Sequence, residues 1–481
     1  MFDDKYTPIS EIPFPTITLC DPIKVSTKDF KYTDINLMVA NSNHKFKLPM
    51  KVLQAMHSLI PYCADDIVVE YIKRNNITVD RDIWPHLKKI SPEIWNASAC
   101  GLQEYGTFKC QVGFTQVLWD RGVCHTFNNL GSDDVYQSNS LAKNFPKFKR
   151  FLIQETFSLY NKTFNPANIT YPFRVHRTSQ GIYLNMQFNK GVRDYDISCN
   201  DPDDMNSLLL FIHPAEDQFI SKGIPVPLDH DTKIFVRPNM ISTDKYLMKS
   251  LGIDKRKCVD IANKNEYKLK YFRTYSQNNC ELEVYIDALL TGCNCSYFWM
   301  PRGNDIRICE ATDKECATKV KHSYRNMNLT DECLPSCNST TYDATMYTKM
   351  FSTVGSNWLF SMSITFDDQQ YLLKKRSELY GYYDFFSDVA GTLSLFLGIS
   401  FLSIAEIVYH ASFRPFMNRR RKKTNTIGYL TTMTLTIDIT KLMKIGLATV
   451  RQFKCSDLQV LFTENLPKLV NAISSYADQV F

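Results

Sequence analysis

"FFSDVAGTLSLFLGISFLSIAEIVYH", Phe385 to His410, is the one stretch of this 481-residue chain long and apolar enough to cross a bilayer. No charged residue lies between Asp388 and Glu406. With a few flanking residues the run reaches about 20–25 residues, enough to span ~30 Å of hydrocarbon as a helix. Ser387, Gly391, Ser394 and Gly398 are spaced 4, 3 and 4 apart and share one helical face. Leu393, Leu395, Phe396, Leu397, Phe401 and Leu402 supply the apolar remainder. Two readings fit this stripe. Small residues let helices pack closely in any membrane bundle. Alternatively, the stripe lines a water-filled path, and Asp388 and Glu406 draw cations to its ends.

The flanking sequence orients the segment. There are fifteen cysteines, and all but Cys455 precede it. An oxidising compartment favours such paired thiols. The close pairs Cys293/Cys295 and Cys333/Cys337 raise zinc as an alternative, but their spacing fits no standard zinc frame, so disulfides are expected and no metal site. Asn-x-Ser/Thr acceptor sequences stand at Asn76, Asn96, Asn161, Asn168, Asn294, Asn328 and Asn338, again all before the segment. After it, Arg414 and the run Arg419 to Lys423 form a cationic cluster that belongs on the cytoplasmic side. These signals place residues 1–384 outside the cell as a cysteine-rich domain, 385–411 in the membrane and 412–481 inside as a tail. Asp438, Lys441 and Lys444 interrupt the apolar residues of that tail and argue against a second span there.

Composition narrows the function. A hydrophobic content of 44% with 22% charged residues marks a folded chain, and its length implies two or more units. The net charge of +6 comes with no zinc-finger or aromatic–basic pattern, so nucleic acid is not an expected partner. There is no glycine-rich phosphate loop, His-Glu-x-x-His or Gly-x-Ser-x-Gly motif, and the adjacency of Cys124 and His125 is not a catalytic geometry. The expectation is a non-enzyme without a cofactor.

Ser387-Asp388-Val389-Ala390-Gly391-Thr392-Leu393-Ser394-Leu395-Phe396-Leu397-Gly398-Ile399-Ser400, with Glu406 six residues on, resembles the second membrane helix of the degenerin/epithelial sodium channel superfamily, which includes the acid-sensing channels. By that resemblance Gly398, Ile399 and Ser400 are the selectivity filter, Ser387 is the degenerin gate position, and Asp388, Gly391, Ser394 and Glu406 line the pore. A glycine at 398 suits an unwound tract whose carbonyls replace an ion's hydration. Ala390 and Ser394 stand where the family has glycine. The likeness continues in Phe14-Pro15-Thr16-Ile17-Thr18-Leu19-Cys20, in Gly122-Val123-Cys124-His125-Thr126-Phe127-Asn128, in Cys293-x-Cys295 with Met300-Pro301, Cys309 and Cys316, and in Cys333 to Cys337 with Tyr342 beyond. The last is most similar to the arthropod pickpocket-type branch.

The resemblance implies an α+β membrane protein: a large disulfide-rich extracellular domain with a β-rich palm, helical thumb (about 258–345) and finger regions, then one transmembrane helix. It also implies the disulfides Cys20–Cys124, Cys100–Cys110, Cys258–Cys337, Cys280–Cys333, Cys293–Cys316 and Cys295–Cys309. The family's fifth thumb rung is missing at both ends, at Val284 and Asp331, and Cys63 and Cys199 are expected to pair. The implied function is a subunit of a trimeric, extracellularly gated, amiloride-sensitive channel conducting Na+ across the plasma membrane, as homo- or heterotrimer with related subunits. The alternative is a non-conducting single-span surface receptor or regulatory subunit. The family's first membrane helix is missing before Phe14, so the true start is expected upstream of Met1, which would make the protein multi-pass.

Local pattern completes the reading. Alternation over Phe360–Phe366 predicts a half-buried strand leading into the span, and Leu208–His213 a buried strand ending at His213-Pro214-Ala215-Glu216. Helices are expected over Lys51–Tyr62 and Lys143–Tyr160. Glu216 and Asp217 are expected to be solvated.

Overall fold

A computed structural model describes residues 2–21, 23–24, 31–41, 66–78, 84–91, 98–102, 106–150, 172–189, 207–218, 223–263, 265–327, 329, 332–350, 357–378, 380–398 and 400–415. Cys63, Cys199, Asn96, Asn161, Asn168, Asn328, Asp331, Ile399 and the expected helix Lys51–Tyr62 lie outside them. The chain divides into two units, Met1–Ser377 and Glu378–Phe481.

The first unit is built on two sheets. Its strands are β1 Phe2–Pro8, β2 Thr16–Cys20, β3 Ser98–Leu102, β4 Gly106–Lys109, β5 Thr115–Trp119, β6 Gly122–Phe127, β7 Gly181–Asn189, β8 Ser207–His213, β9 Ile224–Pro227, β10 His230–Thr243, β11 Asn338–Met350, β12 Asn357–Phe366 and β13 Gln370–Arg376. The larger sheet runs β1-β13-β10-β12-β7-β3-β4, with β11 also paired to β10; the smaller runs β5-β6-β2-β8-β9. Phe360, Met362, Ile364 and Phe366 of β12 are buried and their alternates are not, the period expected of a strand with one covered face. Leu208–Phe211 of β8 is buried throughout, because both faces are covered.

β10 is the organising strand. Along one edge it pairs antiparallel with β11 from His230 to Ser242. Along the other it pairs parallel with β12 at Asp231–Val236, then parallel with β13 at Met240–Thr243. The exchange falls at Pro238. The Val236 carbonyl accepts from Asp367 N at 3.0 Å, so it faces the β12 edge. Pro238, two residues on, faces the same edge, and its missing N–H costs nothing where no strand is paired. From Phe366 to Leu373 the chain advances seven residues while β10 advances four, from Val236 to Met240, so three residues are extruded at the junction. The strand from Phe360 therefore does not lead directly into the helix. It resumes as β13, flanked on its far side by β1 in antiparallel register from Phe2↔Arg376 to Pro8↔Gln370.

The helices of this unit include α1 Tyr32–Asn41, α2 Asp66–Arg74, α3 Trp84–Ile90, α4 Gln277–Cys293 and α5 Lys314–Arg325. Four disulfides bind α4 and α5 and the segments around them: Cys258–Cys337, Cys280–Cys333, Cys293–Cys316 and Cys295–Cys309. Cys20–Cys124 joins register partners of β2 and β6, and Cys100–Cys110 closes the β3–β4 hairpin. Each loop so closed contributes on the order of 2–4 kcal/mol. Val284, at one end of the missing rung, packs instead against the apolar core beside α4. The expected helix Lys143–Tyr160 is not seen in its described part, Lys143–Arg150, which runs as a turn, a bend and irregular chain; residues 151–160 lie outside the described ones. Pro146 cannot donate a helical hydrogen bond, and the segment is held by Lys143 N donating to Asn304 Oδ1 (2.9 Å) and Phe148 N donating to Ser132 Oγ (2.8 Å).

The base of the helical region is clasped by Arg256, whose side chain is 2% exposed and paired with Glu266. Its Nε donates to Cys258 O (3.0 Å) and its Nη1 to Met248 O (2.8 Å) and Leu251 O (3.1 Å). Arg256→Met orphans these carbonyls and leaves Glu266 uncompensated, an expected loss of about 3–5 kcal/mol. A fall in the thermal midpoint of the detergent-solubilised chain, absent in an exposed Arg121→Met control, checks it.

Candidate functional site

The second unit holds the segment that the sequence singled out. It is two helices, α6 Tyr382–Leu397 and α7 Phe401–Val408, followed by one π-helical turn at Tyr409–Phe413. At ~1.5 Å per residue α6 is about 24 Å long, short of a ~30 Å hydrocarbon core. Among the described residues no helix is long and apolar enough to cross a membrane, so the expected single continuous span is not seen. The physical reason is local. Gly398 has φ +63° and ψ 19°, a left-handed cap whose N–H donates to Ser394 O at 3.0 Å. A Cβ there would meet nothing within 4 Å, so glycine is required by the torsion and not by space. Ser400 then starts α7 as N-cap, its Oγ accepting from Ser403 N at 3.2 Å.

Ser387, Gly391 and Ser394 lie within α6 and share its face, as the spacing requires, and Gly398 closes that helix. Asp388 is on α6 and Glu406 on α7, so the two carboxylates belong to different helices. The end of α6 leaves backbone carbonyls without intrahelical partners and carries the negative end of the helix dipole. Asp388 accepts a hydrogen bond from the Tyr380 hydroxyl at 2.6 Å. That partner precedes the helix, at a spacing no periodicity would flag. Tyr382, Tyr383, Phe386, Tyr409 and Phe413 are exposed large aromatics at the two ends of the helical segment. Leu395, Phe396, Leu402 and Ile407 are also more than half exposed within this unit.

In the first unit, Asp217 is not solvated as expected, whereas Glu216 is half-buried. Asp217 is 6% exposed and accepts from Asn278 Nδ2 at 2.7 Å. Burial pushes its carboxyl up, against the hydrogen bonds from Ser276 and Asn278. Burial, and then the neighbouring Asp217 charge, push Glu216 up. The turn that carries them is stitched to the start of α4 by Asn279 Nδ2 donating to Glu216 O (2.9 Å) and Gln218 N donating to Asn279 Oδ1 (3.1 Å). Just before it, His213 Nδ1 donates to Pro214 O at 2.8 Å, which leaves Nε2 to accept from Thr18 Oγ1 at 2.9 Å. Burial lowers His213 to about 4 and His125 to about 3.

The family model described as Amiloride-sensitive sodium channel matches residues 1–410. The chain belongs to the amiloride-sensitive sodium channel family. Pickpocket protein 28 of Drosophila melanogaster is 25% identical over 467 residues, which cover 88% of this chain and 71% of that protein. Sodium channel protein Nach of Drosophila ananassae is 26% identical over 178 residues, 34% of each chain. Pickpocket protein 11 of Drosophila melanogaster is 24% identical over 212 residues, 40% of this chain and 39% of that protein.

Two outcomes follow from this geometry. Gly398→Ala forces a left-handed alanine at a cost of about 1–2 kcal/mol, whereas Gly391→Ala, inside α6 with open space around it, costs nothing within the chain. Thermal midpoints of the two variants in lipid nanodiscs check the order; a larger loss at Gly391 would mean that its smallness serves a neighbour beyond this chain. His213 is protonated more readily unfolded (6.5) than folded (about 4), so the stability it supports is complete above pH 6.5 and is lost as pH falls toward 4. His213→Asn is expected to flatten the fall of the thermal midpoint across that window, which a pH series of melts reads directly.

Proposed function

We propose that this chain is a subunit of a trimeric, extracellularly gated Na+ channel of the plasma membrane, assembled with itself or with related subunits and blocked by amiloride. The observation that carries the reading is the break between α6 and α7 at Gly398 and Ser400, at the end of a face made of Ser387, Gly391 and Ser394. In this reading 1–384 is extracellular, with 258–345 as its thumb, 385–411 lies in the membrane and 412–481 in the cytoplasm. Equivalent segments from three copies enclose the path, and the freed carbonyls with Gly398, Ile399 and Ser400 strip the ion's water. Na+ is the cargo, and no cofactor is required.

Tyr380 would hold Asp388 at the outer mouth, Glu406 would face the inner one, and Ser387 would sit at the gate. The exposed leucines and aromatics support placement in lipid, since apolar surface on this scale is otherwise unfavourable in water by roughly 25 cal/mol per Å2. The aromatics at the two ends suit the bilayer interfaces.

The test is voltage clamp of cells expressing the protein with Ser387→Phe to hold the gate open. The expected result is an amiloride-blocked Na+ current whose ion preference changes with Gly398→Ala or Ser400→Ala. Surface expression without current, alone and with related subunits, would replace this reading with that of a non-conducting receptor or regulatory subunit.

A further inference from the structure

The acceptor sequence Asn294-Cys295-Ser296 has an arrangement that neither the channel nor the fold explains. Asn294 closes α4 in a left-handed conformation, φ 51° and ψ 35°, its N–H donating to Leu290 O at 3.0 Å, and its side chain is exposed. The next two residues turn inward. Cys295 is 0% exposed and bonded to Cys309. Ser296 is 0% exposed and locked into an isolated parallel bridge with Ile308: its N–H donates to Arg307 O at 3.0 Å, and its carbonyl accepts from Cys309 N at 2.9 Å. Its hydroxyl is buried and has no hydrogen-bond partner among the described residues. An orphaned buried hydroxyl of this kind is unfavourable, and an alanine would avoid the cost.

We infer that Asn294 is an N-glycosylation site that accepts its sugar only before the Cys295–Cys309 disulfide closes, and that Ser296 Oγ serves that reaction and not the fold. The inference rests on the extracellular placement of the first unit. In the transfer, Asn294 Nδ2 bonds to the anomeric carbon of an oligosaccharide carried on a polyprenyl diphosphate. The carbon–oxygen bond to the diphosphate breaks, the lipid diphosphate leaves, and the amide gives up one proton. The transferase has to seat the whole tripeptide, with the hydroxyl at its third position free. Once Cys295 and Cys309 have passed two electrons and two protons to a disulfide carrier of the same compartment, Ser296 is sealed and only the Asn294 side chain faces solvent. A sugar already attached is then accommodated, because the carrier atom stays outside, and a bare asparagine can no longer be modified. Asn76 provides the contrast. It too is left-handed, at φ 48°, but both it and Thr78 are exposed, so closure of this rung leaves its acceptor sequence untouched.

The experiment measures glycan occupancy at Asn294 and Asn76 by mass spectrometry after enzymatic release. The full chain is expressed in secretory-pathway cells in three conditions: wild type, Cys309→Ala, and wild type translated under dithiothreitol that is then washed out. Slowing or abolishing the rung is expected to raise Asn294 occupancy by roughly twofold or more, with Asn76 unchanged. The reductant arm keeps every native residue and so remains decisive if Cys309→Ala fails to fold. Asn294 occupancy that is the same in all three conditions, with Asn76 glycosylated, would overturn this inference alone; absence of glycan at both sites would overturn the extracellular placement and the inference together. In Ser296→Ala, Asn294 occupancy is lost and the melting midpoint of the enzymatically deglycosylated protein is no lower than wild type. A lower midpoint would return the hydroxyl to the fold and overturn its assignment to the acceptor.

Discussion

The pairing of β10 on both of its edges is the interaction on which the first unit depends. One strand accepts β11 along its length, β12 along its first half and β13 along its last few residues. Every other strand of the larger sheet is reached through these three. Its end also fixes the helical region: Thr243 Oγ1 donates to Cys337 O at 2.8 Å, and Cys337 is bonded to Cys258. The disulfides that follow stiffen α4 and α5, and Arg256 fills the corner between them and the strand. The turn at Glu216 and the buried Asp217 then ties β8, in the other sheet, to the start of α4. A single strand register thus positions both sheets against the cross-linked helices.

Parts of this were legible in the sequence and parts were not. The alternation in β12 and the apolar run in β8 mark strands whose burial is dictated by local pattern. The cysteine pairs implied by family resemblance and the pairs in the structure are the same six. Glycine at 398 signalled a backbone freedom that the left-handed cap uses. What the sequence conceals is long-range or opposed to local propensity. β1 finds β13 across more than three hundred residues, and no window of sequence shows that pairing. Lys143–Arg150 has helical composition, but Pro146 and tethers to Ser132 and Asn304 hold it open. Asp217 carries a charge that normally seeks water, and only the side chains gathered from α4 make its burial tolerable. Tyr380 reaches Asp388 from outside the helix, so helical periodicity cannot find it.

The second unit shows a conflict between two demands on one segment. On the proposed channel reading, an apolar face needs a continuous helix to satisfy its backbone in lipid, whereas ion coordination needs carbonyls that the helix does not use. Gly398 and Ser400 resolve it within three residues by ending one helix and capping the next. Both Asp388 and Glu406 stand away from the break, one on each helix, so in the proposed channel the charged groups and the interrupted backbone would be separate parts of one path.

The three residues extruded between β12 and β13 have a mechanical consequence. β13 is flanked by β1 and β10, and its ladder bonds lie across the strand axis. A tension applied along that axis at Arg376 loads those bonds in shear, all together, and does not peel them one at a time. Beyond β13 the load reaches Asp367–Gln369, which two backbone hydrogen bonds hold in place of a full ladder, Asp367 N to Val236 O (3.0 Å) and Ile9 N to Gln369 O (3.1 Å). The junction therefore behaves as a short extensible link in series with a stiff one, and β12 stays in register while β13 takes up the strain.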